Sequence, residues 1–147
     1  MAEVTTCIDA SPDEVFAVLS DGWKYTNWVV GASHMRAVDA EWPAVGARLH
    51  HSSGLWPMLT RDETVVERSE PASRIELLAK GGPLGAARVV ITLAPIDGRT
   101  RVTMAETPVS GVGRWLYNRL TDAALAMRNT ESLARLAALA ERRVSPR

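Results

Sequence analysis

The C-terminal stretch from Gly113 to Arg142 constrains the fold most. It contains no proline and is rich in Ala, Leu, Arg, Glu and Met, all strong helix formers. Apolar side chains recur at Leu116, Leu120, Ala123, Met127, Ala134 and Ala137, with Leu133, Leu136 and Ala140 widening the stripe. This spacing predicts one amphipathic helix with a face buried along its whole length. Asn118, Asp122, Arg128, Glu131, Arg135 and Arg142 fall on the opposite face, where Glu131 and Arg135 form a favourable i,i+4 pair. At 1.5 Å per residue such a helix is about 45 Å long. So long an apolar stripe needs a broad partner from the rest of the chain.

That remainder reads mostly as strands. Val4 to Ile8 alternates apolar and small polar residues and predicts a first strand. Ser11-Pro12-Asp13-Glu14 then starts a helix: Ser11 caps, Pro12 suits the first position, and Glu14 closes a capping box. Val15, Phe16, Val18 and Leu19 give it an apolar face, and Asp21-Gly22 ends it. A second short helix or turn carries Trp23, Tyr25 and Trp28, with Gly31 as its stop. Six strands follow, over His34–Asp39, Ala47–Ser52, Met58–Ser69, Arg74–Lys80, Leu84–Ile96 and Arg99–Thr107. Asp97-Gly98 is the strongest hairpin signal, because a type I′ turn needs two residues tolerant of positive φ.

Strands joined by short turns pair antiparallel with their neighbours. The expected fold is therefore α+β: a seven-stranded antiparallel curved sheet around a long C-terminal helix, with two short helices after the first strand. One domain over residues 1–143 is expected, followed by a loose tail at 144–147. A sheet wrapped around a helix leaves a hollow suited to a small molecule. Charges balance at 17 basic and 17 acidic residues, which leaves no electrostatic footprint for nucleic acid. Cys7 is the only cysteine, so no internal disulfide forms and a reducing, cytoplasmic setting is expected. No signal peptide and no apolar run long enough for membrane insertion are read from the chain.

Several stretches carry a resemblance to a known family. They are Ile8-Asp9-Ala10-Ser11-Pro12-Asp13-Glu14-Val15-Phe16, the tryptophan-bearing turn Asp21 to Trp28, and Gly46 to His51. The hairpin Gly98-Arg99-Thr100-Arg101-Val102-Thr103 and the segment Arg128-Asn129-Thr130-Glu131-Ser132-Leu133 complete the set. The layout resembles the helix-grip fold of the START-like (SRPBCC) superfamily, which includes birch-pollen-allergen-like proteins and bacterial polyketide cyclase/dehydrase-type proteins. The resemblance implies a cavity that takes a hydrophobic or amphipathic small molecule. Members range from carriers to cyclases, so function rests on the lining.

Strand parity names the lining. Ala47, Leu49 and His51 share one face, while Arg48 and His50 point away. Ile75, Leu77, Ala79, Val89, Ile91 and Leu93 face inward, and Val102 and Met104 bring Glu106 with them. Counting back from Val66, Thr64 and Asp62 also face inward, although one bulge would reverse that. The helix adds Leu116, Leu120 and Met127, with Trp115 and Asn118 as further candidates. The expected ligand-binding set is Trp28, Leu49, His51, Trp56, Leu77, Ile91, Met104, Glu106, Leu120 and Met127. His51, Glu106 and Asp62 are the candidate acid–base groups, since burial shifts the pKa of such side chains. The plainer alternative is that each merely satisfies a backbone group or an arginine.

Metal and cofactor sites are not expected. His50 and His51 are adjacent on a strand and face opposite sides, and His34 stands in neither HxH nor HExxH spacing. Nucleophilic catalysis at Cys7 is not expected, since its strand parity opposes Thr6 and Ile8 and buried free cysteines are usually small hydrophobes. Gly81, Gly82 and Gly85 read as a hairpin turn with no helix behind it. Trp23, Trp28, Trp42, Trp56 and Trp115 all fall at element ends, where they wall a rim or plug it. Three functions stay open: a carrier of a hydrophobic ligand, a cyclase/dehydratase-type enzyme using His51 with Glu106 or Asp62, and a protein-interaction module with a filled cavity. A monomer or homodimer fits each.

Overall fold

The computed structural model of the protein describes residues 2–30, 32–53, 60–80, 85–111 and 119–144. Strand β1 (Ala2–Ile8) leads into helix α1 (Pro12–Ser20), a 3-10 turn (Gly22–Lys24) and the one-turn helix α2 (Tyr25–Trp28). Strands β2 (Ala32–Val38), β3 (Arg48–Ser53), β4 (Thr60–Glu70), β5 (Arg74–Lys80), β6 (Ala86–Ile96) and β7 (Arg99–Pro108) follow, and helix α3 (Arg119–Val144) comes last. The expected helix start at Gly113 lies outside the described residues, with Trp115, Leu116 and Asn118.

Local chemistry sets these boundaries. The Glu14 backbone N–H donates to Ser11 Oγ at 3.2 Å, and the Ser11 N–H donates to Glu14 Oε1 at 3.2 Å. This reciprocal cap, with Pro12 just inside, fixes where α1 begins. Val15, Phe16, Val18 and Leu19 are its buried face. Asp97 at φ 48° and Gly98 at φ 77° form the tight turn between β6 and β7.

The sheet runs β1-β7-β6-β5-β4-β3-β2, every neighbour antiparallel. Register shifts lie within β2 and between Val66 and Arg68 on β4. Such bulges bend the strand that carries them and raise its twist. The first strand closes against the last, and Thr100 Oγ1 donates to the Ala10 carbonyl at 2.7 Å, holding that hairpin end to the start of α1.

Helix α3 packs chiefly against β1, α1 and α2, and touches β7. Among its described side chains the buried ones are Asn129, Ser132, Leu133, Leu136 and Ala140, a 3.6-period stripe. The stripe is thus centred on the residues expected only to widen it. Met127 is 77% exposed, and Ala123 and Ala134 are exposed with it. The expectation that Met127 lies on the buried face is corrected: six positions from Leu133 at about 100° each put it some 120° off the seam. Polar Asn129 and Ser132 occupy the seam because both are bonded there. Ser132 Oγ accepts the Val30 N–H at 3.0 Å, and Asn129 reaches Glu106. Leu133 and Leu136 join Ile8, Val15, Val18, Ile75, Ile91 and Val102 in one core. Among the described residues no helix is long and apolar enough to cross a membrane.

Candidate functional site

Register arranges the inner face of the sheet in rows. Leu49, Thr64, Ala79 and Ala87 lie side by side across β3 to β6. Val66, Leu77, Val89 and Glu106 form the next row, and Ile75, Ile91 and Met104 the one after. His51 and Asp62 face each other one step beyond Thr64. The third row is fully buried, whereas Ala79, Ala87 and Val89 are only half-buried. Coverage therefore thins across β5 and β6, while Leu49, Thr64, His51 and Asp62 on β3 and β4 stay buried.

The parity of β4 from Val66 back to Asp62 is unbroken, because its register shift falls on the other side of Val66. Thr64 and Asp62 consequently point inward and are buried. His51 Nε2 lies 2.9 Å from Thr64 Oγ1, and the same oxygen lies 3.3 Å from the Tyr25 hydroxyl. Tyr25, delivered by α2, also lays its ring against His51, with centroids 5.2 Å apart. Trp28 meets Tyr25 edge-on at 5.6 Å. Tyr25, Thr64 and His51 thus form one buried hydrogen-bonded chain. Among the described residues, His51 Nδ1 at its end is buried without a partner.

Electrostatics fixes the protonation of this chain. Burial lowers the His51 pKa from its ordinary 6.5; the Asp62 carboxylate opposes this, and Arg36 and His50 add to it. Burial raises the Tyr25 pKa; the Thr64 hydrogen bond works against it, the Glu106 charge adds to it, Arg128 opposes it and Asp62 adds to it. At neutral pH the chain holds a neutral imidazole and a neutral phenol. The hydroxyls can then turn in either sense, leaving Nδ1 as donor or as acceptor.

Glu106 sits on the opposite wall. Four strand spacings separate β7 from β3, about 19 Å along the sheet. Its carboxylate pairs with Arg128 on α3 and accepts from Asn129 Nδ2 at 3.2 Å. The structure brings His51 and Asp62 together across β3 and β4, and gives Glu106 separate partners.

Of the expected ligand-binding residues, Trp28, Leu49, His51, Leu77, Ile91, Met104 and Glu106 are buried. Met127 points to solvent instead. Trp56 and the side chain of Leu120 lie outside the described residues. Sequence reasoning passed over Tyr25, whose four-residue helix is too short for any periodicity, and treated Thr64 only as an inward position. Asn129 carried a usable signal: it stands four before Leu133 and seven before Leu136, on their own stripe.

Elsewhere the chemistry is solvated. His50 faces outward between Asp39 and Glu63, at 3.3 and 4.0 Å. Cys7 is exposed on the outer face of β1, so the expectation of a small buried hydrophobe is corrected: the inward side of that strand belongs to Ala2, Val4, Thr6 and Ile8. Trp42 is buried, its indole N–H on the Leu19 carbonyl, while Trp23 is exposed. An open depression borders Trp23, Asp21, Val38 and Asp39, away from the inner face. Among the described residues no group of His, Cys, Asp and Glu is arranged to hold a metal ion.

Fold and inner face together define a helix-grip protein with a largely apolar concave lining. The chain belongs to the family described as polyketide cyclase / dehydrase and lipid transport, whose model matches residues 1–141. No curated protein matches it. Among solved structures it is similar to protein NE0264 of Nitrosomonas europaea, with a TM-score of 0.72 at 13% identity over 97% of this chain and 96% of that one. Ara h 8.0201 matches with a TM-score of 0.69 at 11% identity, over 94% and 95%. DynU16, from the dynemicin biosynthetic locus, matches at 0.69 and 21%, over 95% of this chain and 46% of that one. At these identities the likeness is one of fold.

Proposed function

We propose that this chain is a single-domain cytoplasmic protein that binds a hydrophobic or amphipathic small molecule between the sheet and α3. One observation carries the reading. An apolar inner face of Leu49, Leu77, Ile91 and Met104 is interrupted by His51, whose buried Nδ1 has no partner among the described residues. Burying a polar atom without a partner costs about 1–3 kcal/mol, and a ligand group there would recover that cost. The family's description, which includes lipid transport, and the fold likeness to Ara h 8.0201 support the same class of ligand. Native mass spectrometry of protein purified from its own host tests the proposal. A co-purifying small molecule, retained by wild type and depleted in His51→Ala, is the expected result. A bare mass, together with no uptake of apolar probes, would leave a filled interior and an interaction module.

An enzyme of cyclase/dehydratase type is the second reading, and the pairing of His51 with Asp62 favours it over one with Glu106. A neutral imidazole beside a carboxylate can take up and return a proton. If this holds, His51→Ala lowers turnover about a hundredfold or more while binding survives.

A further inference from the structure

Taking the inner face as the ligand site, we infer that its polar end selects an uncharged oxygen, a hydroxyl or carbonyl on an apolar skeleton, over a carboxylate on the same skeleton. Three observations carry this. The first is the chain Tyr25–Thr64–His51, which ends at the buried Nδ1. Turned one way it offers an N–H to a carbonyl or hydroxyl oxygen; turned the other it accepts from a hydroxyl. A carboxylate uses only the first sense.

The second is the sign of the nearby charge. Asp62 stands directly opposite His51, and its carboxylate acts on both His51 and Tyr25. A ligand carboxylate at Nδ1 would bring a second carboxylate beside that of Asp62, a like-charge contact that a neutral oxygen does not make. The imidazole offers no balancing charge, since burial keeps it neutral.

The third is where two cations among the described residues are committed. Arg36, which acts on His51, donates from Nη2 to the main-chain carbonyls of His51 and Asp62, at 3.2 and 3.0 Å. Arg128, whose charge reaches Tyr25, is paired with Glu106. To draw on either of these two charges an anionic headgroup would have to break its engagement, whereas a neutral oxygen breaks neither. Burying an unpaired carboxylate costs far more than burying a hydroxyl that is hydrogen-bonded.

Calorimetric titration of the full-length protein near pH 7.5 with two matched pairs, decan-1-ol against decanoate and 2-naphthol against 2-naphthoate, tests the inference. The neutral member is expected to bind at least tenfold more tightly in a pair that binds. Thr64→Val and His51→Phe should narrow that ratio to about twofold, and Asp62→Asn should raise the affinity of the anion. Circular dichroism confirms that each variant is folded, and Thr64→Val, close to isosteric, serves if His51→Phe is not. Equal or tighter binding of the anion by wild type overturns the selectivity while leaving the ligand site standing. So does a ratio that survives Thr64→Val. Failure of all four probes to bind overturns the ligand-site reading and the selectivity with it.

Discussion

His51 Nε2 lies 2.9 Å from Thr64 Oγ1 inside the sheet, and the imidazole stays neutral in the folded protein because burial lowers its pKa. The consequence for stability has a definite sign. As pH falls through the ordinary value of 6.5, the unfolded chain takes up a proton that the folded one refuses. The unfolded state then binds more protons, so stability rises with pH across that window. His51 should therefore cost nothing above 6.5, destabilise progressively below it, and level off once the folded form also protonates. Urea unfolding of wild type and His51→Gln between about pH 8 and pH 5 should show the wild type losing more. Parallel curves would mean that the imidazole is solvated.

The second prediction concerns the seam of α3. Leu136 is fully buried and Met127 is 77% exposed, although both belong to apolar periodicities of the same helix. Leu136→Asp places an unpaired charge in the core and should cost more than about 3 kcal/mol or abolish folding. Met127→Asp should stay within about 0.5 kcal/mol of wild type in thermal melts. Similar losses in both variants would restore the wider stripe.

That contrast marks where the sequence was legible. Element order, the capping box and the Asp97-Gly98 turn are local signals, and each appears where its residues require it. Alternation along β3, β4 and β7 was enough to aim His51, Asp62 and Glu106 inward. The face of α3 was less legible, because in an Ala- and Leu-rich helix two overlapping stripes satisfy the same period. The stripe centred on Leu133 and Leu136 wins by meeting Ile8 and Val15. The association of Tyr25 with Thr64 was not legible at all. It depends on where a four-residue helix lands against a strand 39 positions later.

A third prediction separates two glycines that act for different reasons. At Gly22 a Cβ would come within 2.6 Å of Leu49 Cδ2 and 2.7 Å of Val38 Cγ1. Gly22→Ala should therefore cost about 1–3 kcal/mol through overpacking. At Gly98 there is open space, and the constraint is its φ of +77°. Gly98→Val should cost more than about 1 kcal/mol. Gly98→Asn should recover most of that loss, since Asn tolerates the left-handed region, while Gly22→Asn should be worse than Gly22→Ala. Equal behaviour of Asn at both sites would contradict this assignment.

The last prediction concerns the tie between β7 and α3. Glu106 is buried, with its side chain 9% exposed, whereas the Arg128 side chain that pairs with it is 39% exposed. The two partners are thus unequal: Arg128 can turn to water, and Glu106 cannot. Arg128→Ala should cost about 1–3 kcal/mol, because it leaves a buried carboxylate supported by Asn129 alone. Glu106→Gln should cost less, since its amide oxygen still accepts from Asn129 and Arg128 becomes solvated. In the Arg128→Ala background, Glu106→Gln should restore part of the lost stability, because it removes the stranded charge. A four-corner cycle by urea unfolding measures the coupling. Strictly additive losses would mean that Arg128 and Glu106 do not depend on each other, and that Asn129, with the apolar seam behind it, holds the helix to the strand.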